Sequence, residues 1–373
     1  MKVALVHDWL NQIGGAEAVL EVLVELFPTA PVYTSIYSSE AMPPAYRSWE
    51  IHTTWLDRLP AIHRRHQPYL PLYPLAFGGL MLRDYDLVIS NKSAFCLGVR
   101  TPPETRHLCY CLTPTRFVWD YDSYVELEQV GRPARLLTRL LIGRLQRWER
   151  SAAGRVSAFA AISAEIKTRI QRFYTRDSAV IHPPVNTRRF APAESHDDYF
   201  LIVSRLIPYK RIDLAVQAFS ELGLPLWVAG SGRDRARLEG LAGPSVRFLG
   251  RVADEALPDL VARCRAYILP GLEDFSIAPV EAMAAGRPVI AYARGGALDT
   301  VVDGVTGTFF SQPTATSLAE AVRRFDTLTF DTAAIRGHAQ QFDTCVFKEK
   351  IGAWVTHMGV SCDQNPAHDP TVR

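Results

Sequence analysis

The chain has 373 residues, of which 48% are hydrophobic and 21% charged, with a net charge of only +2. That length suggests about two domains with real cores, and so weak a charge excludes a general nucleic-acid binder. Cys96, Cys109, Cys111, Cys264, Cys345 and Cys362 include no C-x-x-C pair, which argues against a disulfide scaffold or zinc site and for a reduced, cytoplasmic setting.

Met1-Lys2 runs straight into an expected strand, so no signal peptide is expected, and no apolar run reaches the roughly 20 residues of a membrane span. Residues 3–7 are a β-rich run, and a loop over 8–15 ends in Gly14-Gly15. Residues 16–27 carry Val19, Leu20, Leu23, Val24 and Phe27 at helical spacing. Strand, glycine loop and helix in this order offer an anion free amides and a positive dipole end. The loop is not G-x-G-x-x-G, so a dinucleotide fingerprint is not expected, and a tight turn explains two glycines equally well.

Residues 55–74 mix aromatics, cations and prolines, which fits a solvated loop with buried aromatic anchors or an acceptor-facing or membrane-facing rim. Residues 84–90 read as a strand leading into a loop at 91–93. The segment His107-Leu-Cys-Tyr-Cys-Leu-Thr-Pro-Thr-Arg-Phe-Val-Trp-Asp120 follows. Between 133 and 155, Arg135, Arg139, Arg144, Arg147, Arg150 and Arg155 accompany a leucine-rich stripe with Trp148. This basic amphipathic helix suits an anionic lipid surface, giving peripheral membrane contact, and equally suits a domain-packing helix with arginines in water.

Residues 158–163 read as a strand, with Ser163 capping a helix over 164–174. The proline-rich stretch 180–192 starts no regular element and marks a boundary between domains at 1–190 and 191–341. Residues 199–204 form a buried strand, and the loop to Lys210 precedes a helix over 211–221. Arg205 and Lys210 bracket that helix start. A planar fork and a point charge there suit a leaving diphosphate, or they form a surface pair. Strands are expected over 226–230, 246–251 and 288–291, the last leading to Gly295-Gly296.

Pro270-Gly-Leu-Glu-Asp-Phe-Ser-Ile-Ala-Pro-Val-Glu-Ala-Met-Ala-Ala-Gly286 follows an apolar run over 266–270. Ser276 is the expected N-cap, Pro279 sits in the first turn and Gly286 ends the helix. Pro279 has no N–H, which leaves Ile277 and Ala278 as amide donors. Glu273 and Glu281 have seven residues between them. A carboxylate only accepts hydrogen bonds and so suits sugar hydroxyls, Glu281 a ribose and Glu273 a second sugar; pairing with arginines is the plain alternative. Residues 342–358 read as a terminal helix, with Val346, Phe347, Ile351, Trp354 and Val355 on its apolar side, and 359–373 as a flexible tail.

The stretch 270–286 resembles the E-x7-E motif of retaining glycosyltransferase family 4. The resemblance covers nearly the whole chain and is closest to the mannosyltransferase-like branch of bacterial surface polysaccharide synthesis. His-Asp-Trp-Leu followed by Gly-Gly-Ala-Glu is similar to the family's start, and Ser-Arg-Leu-Ile-Pro-Tyr-Lys-Arg to its diphosphate site. The 107–120 segment resembles one that reads Tyr-Cys-His-Thr-Pro-Met-Arg-Tyr-x-Trp-Asp. The resemblance implies the α/β GT-B fold, two doubly wound Rossmann-like domains facing across a cleft, with 342–358 crossing back to the first. It implies metal-independent, retaining transfer of a hexose, mannose from a GDP-sugar, to a lipid-linked or oligosaccharide acceptor at the inner face of the cell membrane. No cofactor beyond the nucleotide-sugar is expected, and no nucleic-acid partner.

By the same resemblance Arg205 and Lys210 hold the diphosphate, Glu273 the donor sugar and Glu281 the ribose. Arg205, Lys210 and Glu273 are thus the catalytic candidates. Backbone near Arg251 edges the base, and Gly14, Gly15, Phe275, Ser276, Ile277 and Ala278 complete the donor cleft. Two residues depart from the family pattern. Leu112 stands where the family's His helps hold the sugar, and leucine donates no hydrogen bond. His7, Arg116 and Asp120 are the candidates to compensate on the acceptor or sugar side. Ser276 stands where the family usually has Gly. Two other readings remain, a sugar-nucleotide epimerase of the same fold and a degenerate transferase that binds sugar nucleotide or a partner without turnover.

Overall fold

The computed structural model describes residues 1–120 and 132–359, with side chains from Leu141 onward in the second stretch. The short apolar runs become strands of two parallel sheets. The first sheet contains β1 (Val3–His7), β2 (Val32–Thr34), β3 (Ile51–Thr53), β4 (Leu87–Lys92), β5 (Arg106–Cys111), β6 (Ala158–Ala161) and β7 (Ser178–Val180), in the order β3-β2-β1-β4-β5-β6-β7. The second contains β8 (Phe200–Val203), β9 (Leu226–Ala229), β10 (Val246–Gly250), β11 (Ala266–Leu269), β12 (Val289–Tyr292) and β13 (Gly307–Phe310), in the order β10-β9-β8-β11-β12-β13. Helices cover both faces of such sheets, so central strands such as β1 are buried at every residue. In each sheet the order reverses beside the first strand, β1 or β8, and ligands in open α/β sheets bind at that point, beyond the strands' carboxyl ends.

Gly15–Leu26 is the helix after β1 and buries Val19, Leu20, Val22 and Leu23. Ser163 caps Ala164–Tyr174 by accepting from the Ile166 amide. The terminal helix runs Thr344–His357 and buries Phe347, Ile351, Trp354 and Val355. Its Phe347 ring meets Tyr110 of β5 edge-on at 5.5 Å, and Lys348 pairs with Glu25 at 2.7 Å, so it packs on the first sheet's side.

Three local expectations need correction. The strand expected over 84–90 is Leu87–Lys92, so Asn91 and Lys92 are strand residues and not loop. Asp84 and Asp86 keep to the rim, where the Asp86 carboxylate accepts from the Lys2 amide. The stretch 180–192 does hold regular structure, the end of β7 and a short 3-10 turn at Thr187–Arg189. Ser276 does not cap a helix, for a reason given below.

Helix Arg132–Ala153 packs through the apolar side of its described part. Leu145 is buried, and the Trp148 ring lies 5.7 Å from Phe95. Gly98 makes room for that ring, because a Cβ there would stand 2.4 Å from Trp148. Arg144, Arg147 and Arg150 are exposed. The side chains of Arg135 and Arg139, and the residues from 360 on, including Cys362, lie outside the description. Among the described residues no helix is long and apolar enough to cross a membrane.

Candidate active site

A cleft of about 600 Å³ is lined from both sheets by residues that follow strands. From the first sheet come the loop after β1 (Trp9 to Ala16), Ser93 after β4, and Leu112 to Asp120 after β5. From the second come Arg205, Tyr209 and Lys210 after β8 and Glu273 to Ala278 after β11.

The first wall is held by a buried acid. The Asp8 carboxylate accepts the amides of Ser93, Ala94, Phe95 and Cys96 at 2.6–2.7 Å, which fixes the turn after β4. Asn91 donates to the Ala16 carbonyl at 2.7 Å and meets His7 Nδ1, and His7 Nε2 meets Glu17 at 3.3 Å. His7 is therefore buried beside the glycine loop and is not among the residues that line the cleft. Gly14 has an ordinary extended backbone, so its torsions do not demand glycine. Space matters more. A Cβ on Gly15 would lie 3.5 Å from Ile277 Cδ1, so the glycine loop and the 276–278 segment face each other closely.

On the second wall Arg205 is exposed, and its guanidinium has no partner among the described residues. Lys210 Nζ pairs with Glu273 Oε1 at 2.5 Å, and Glu273 is buried. Glycines permit this approach. A Cβ on Gly271 would stand 2.6 Å from the Lys210 carbonyl, and one on Gly296 would stand 2.3 Å from Phe275 Cα. Gly296 also donates its amide to the Glu273 carbonyl at 2.8 Å.

Ser276 has φ +74°, in the left-handed region. The chain turns there, and the helix starts at Ala278 with Ile277 as its cap and no side-chain cap bond. This corrects the N-cap expectation, since the helix starts one residue beyond the place Ser276 could cap. It also explains why glycine suits this position. The amides of Ile277 and Ala278 donate to no group among the described residues, and both residues line the cleft.

Arg116 lines the cleft, but its charge is committed. It grips Asp274 with Nη2 at 3.0 Å and Nε at 3.1 Å, and its guanidinium lies 5.2 Å from the Tyr209 ring centroid. Arg169 reaches the same carboxylate at 3.1 Å. Burial alone would raise the Asp274 carboxyl, but Arg116 and Arg169 outweigh it and hold it below the usual carboxylate range. Two arginines of the first sheet's half thus clamp one acid of the second. Sequence reasoning missed Asp274; the only signal was a second carboxylate beside Glu273.

The Arg116 loop rests on a buried ion pair. Glu149 accepts from Thr115 Oγ1 and Trp119 Nε1 at 2.7 Å and from the Tyr174 hydroxyl at 2.6 Å. Lys92 pairs with Glu149 at 2.9 Å and donates to the Thr113 carbonyl. Burial alone would lower the Lys92 ammonium, yet Glu149 outweighs it and raises its pKa.

Leu112 and Asp120 line the cleft. Arg251 and Glu281 do not. Arg251 is exposed just past β10, and Glu281 lies half-buried on Ala278–Ala284 toward Arg189 and Asp254. Burial pushes the Glu281 carboxyl up to about 7, with Arg189 pulling the other way.

Residues 186–331 match the family model described as glycosyl transferases group 1. The chain is similar to the α-1,3/1,6-mannosyltransferase ALG2 of Dictyostelium discoideum, 25% identical over 74% of this chain and 75% of that protein. It is equally similar to mouse ALG2, 25% identical over 78% of this chain and 77% of that one. Anabaena Alr3699/HepE, solved in complex with UDP, superposes with a TM-score of 0.70 at 19% identity, covering 96% of this chain and all of that one. A sucrose-phosphate synthase from Thermosynechococcus elongatus gives 0.72 at 18% identity over 96% and 99%. At those identities the superpositions show the fold, and the fold is GT-B.

Proposed function

We propose that the chain, whose residues 186–331 match the glycosyl transferases group 1 model, transfers a hexose from a nucleotide-sugar, mannose from a GDP-sugar, with retention, to a lipid-linked or oligosaccharide acceptor. The observation that carries this reading is one cleft in which Arg205, the Lys210–Glu273 pair and the free amides of Ile277 and Ala278 converge opposite Gly14-Gly15. Arg205, Lys210 and the amides hold the donor diphosphate and stabilise its charge as it leaves, without a metal. Glu273 holds Lys210 until the diphosphate draws on that lysine, and its carboxylate then turns to a sugar hydroxyl.

In the reaction the bond from C1 to the diphosphate oxygen breaks and a bond from C1 to the acceptor oxygen forms on the same face. The acceptor's proton passes to the departing phosphate. Retention then needs no protein nucleophile. Glu281 and the backbone at Arg251 serve the ribose and base, and Asp120 the acceptor side. The mannosyltransferase names of the relatives support the sugar, and the neighbours solved with UDP or UDP-glucose support a nucleotide donor. This reading places the chain in the cytoplasm at the inner membrane face, in surface polysaccharide synthesis, with exposed Arg144, Arg147 and Arg150 available to anionic lipid. Leu112 in the cleft favours a second reading, a protein that binds sugar nucleotide without turnover.

The test is release of nucleoside diphosphate from GDP- and UDP-sugars with a bacterial lipid extract, beside calorimetric binding of GDP and UDP. Acceptor-dependent release is expected from the wild type. Lys210→Ala or Arg205→Ala should weaken nucleoside diphosphate binding about 10–100-fold, the worth of one charged hydrogen bond. Unchanged affinity in both variants removes the diphosphate assignment, and binding without release selects the second reading.

A further inference from the structure

Around the Lys210–Glu273 pair the cleft has two unlike sides. One is polar: Glu273, Lys210 and Arg205. The other is built on the carboxyl ends of three neighbouring strands. Leu112 follows β5, and its amide bonds the Lys92 carbonyl at 2.8 Å. Ile162 follows β6, and its amide reaches the Cys111 carbonyl at 3.4 Å. Pro183 follows β7, which pairs with β6. Leu112, Ile162 and Pro183 all line the cleft, and Phe275 lines it from the opposite half with its ring stacked on His182 at 5.5 Å. Together these residues give the cleft an apolar shelf, with Leu112 its most exposed member and Ile162, Pro183 and Phe275 largely buried.

The polar groups beside the shelf are already engaged. Thr113 donates its hydroxyl to the Pro114 carbonyl at 3.0 Å, and His182 donates Nδ1–H to the Ile162 carbonyl at 3.0 Å. Arg116 is held by Asp274. A hydroxyl set against these apolar side chains loses water and finds the neighbouring donors of Thr113, His182 Nδ1 and Arg116 already engaged, whereas a methyl group gains apolar burial.

We infer that the transferred sugar is a 6-deoxyhexose, with its hydroxyls toward Glu273 and its methyl group on the Leu112–Ile162–Pro183 shelf. The inference rests on the transferase reading above and replaces its mannose with a 6-deoxy sugar. Position six is chosen because removal of that oxygen leaves a projecting methyl group that can fill a shelf, while removal of a ring hydroxyl leaves only a flush methylene. Leu112 is then the specificity-determining residue, since it is the least buried of the three side chains.

The experiment compares two donor pairs, GDP-mannose with GDP-6-deoxymannose and UDP-glucose with UDP-6-deoxyglucose. Calorimetric Kd and kcat/KM for nucleoside diphosphate release are measured with lipid extract, using wild type and Leu112→Gln, with GDP and UDP alone as controls. The 6-deoxy donor should be preferred about tenfold or more within the base the protein accepts. Leu112→Gln should abolish or reverse that preference and leave GDP and UDP affinity unchanged. A wild type that treats both members of a pair alike, or prefers the ordinary hexose, overturns the inference and leaves the transferase reading standing. Binding of GDP or UDP with no donor held more tightly than its own nucleotide overturns it equally. Failure of both GDP and UDP to bind overturns the transferase reading and this inference with it. Should Leu112→Gln not fold, the wild-type ratio alone decides.

Discussion

Glu281 carries a cost that the donor site would explain. Its carboxyl is half-buried on Ala278–Ala284, makes no hydrogen bond or ion pair among the described residues, and is pushed by burial from an ordinary 4.5 to about 7. A carboxyl whose folded pKa lies above its unfolded one binds more protons when folded, so stability falls as pH rises through the window from 4.5 to 7. Glu281→Gln removes that loss. Its melting temperature should match the wild type below about pH 4.5 and exceed it increasingly up to pH 8, a gain on the order of 2 kcal/mol. Equal pH profiles would show that the carboxyl is solvated. Lys210 and Glu273 illustrate the opposite arrangement, two charges satisfied by each other until a ligand divides them.

Among the elements, the turn before Ala278–Ala284 holds a residue in the left-handed region. Ser276 sits at φ +74°, where an L side chain crowds the backbone at about 1–2 kcal/mol, partly offset by the greater entropy that glycine loses on folding. Ser276→Gly should therefore stabilise the protein by about 1 kcal/mol, read as a higher midpoint in urea with the same slope. No shift, or a lower midpoint, would mean that the serine makes a compensating contact. Helix Arg132–Ala153 shows how one element serves two ends. It anchors Trp148 against Gly98, and it sends Glu149 beneath the Thr113–Trp119 loop to meet Lys92. Breaking such a buried pair from one side leaves an uncompensated charge, so the loop's position depends on a residue far along the chain.

At the scale of the molecule, the two halves meet through Asp274. Arg116 and Arg169 reach it from one half, and nearby the Ala164 amide donates to Asp299 at 2.9 Å. The terminal helix supplies a second tie by packing Phe347 on Tyr110. Asp274→Asn should weaken the clamp and open the cleft, seen as a larger radius of gyration in solution scattering that a bound nucleoside diphosphate partly reverses. An unchanged radius would show that the clamp does not set the opening. Because the two arginines hold the Asp274 carboxyl below its usual range, the wild-type clamp should survive mild acid. It should be lost only as pH falls through that lowered pKa, below the ordinary 3.8.

Local physics made much of this legible from the sequence. Apolar runs of four to six residues such as those of β1, β8 and β11, each followed by glycine or a cation, are enough to announce parallel strands with ligand loops at their ends. Arg205, Lys210, Glu273 and Gly14-Gly15 lie in the segments that follow such strand ends, and the resemblance to the glycosyltransferases singled them out there. β2, β3 and β7, at three residues each, are too short to show a period. Lys92 reads as a loop cation until Glu149 is seen beside it, and His7 and Arg116 read as free until Glu17 and Asp274 claim them. Sequence neighbours determine which strand ends bear charge. Only tertiary structure decides which of those charges are already paired, because the partners come from other elements and ion pairing depends on distance in space.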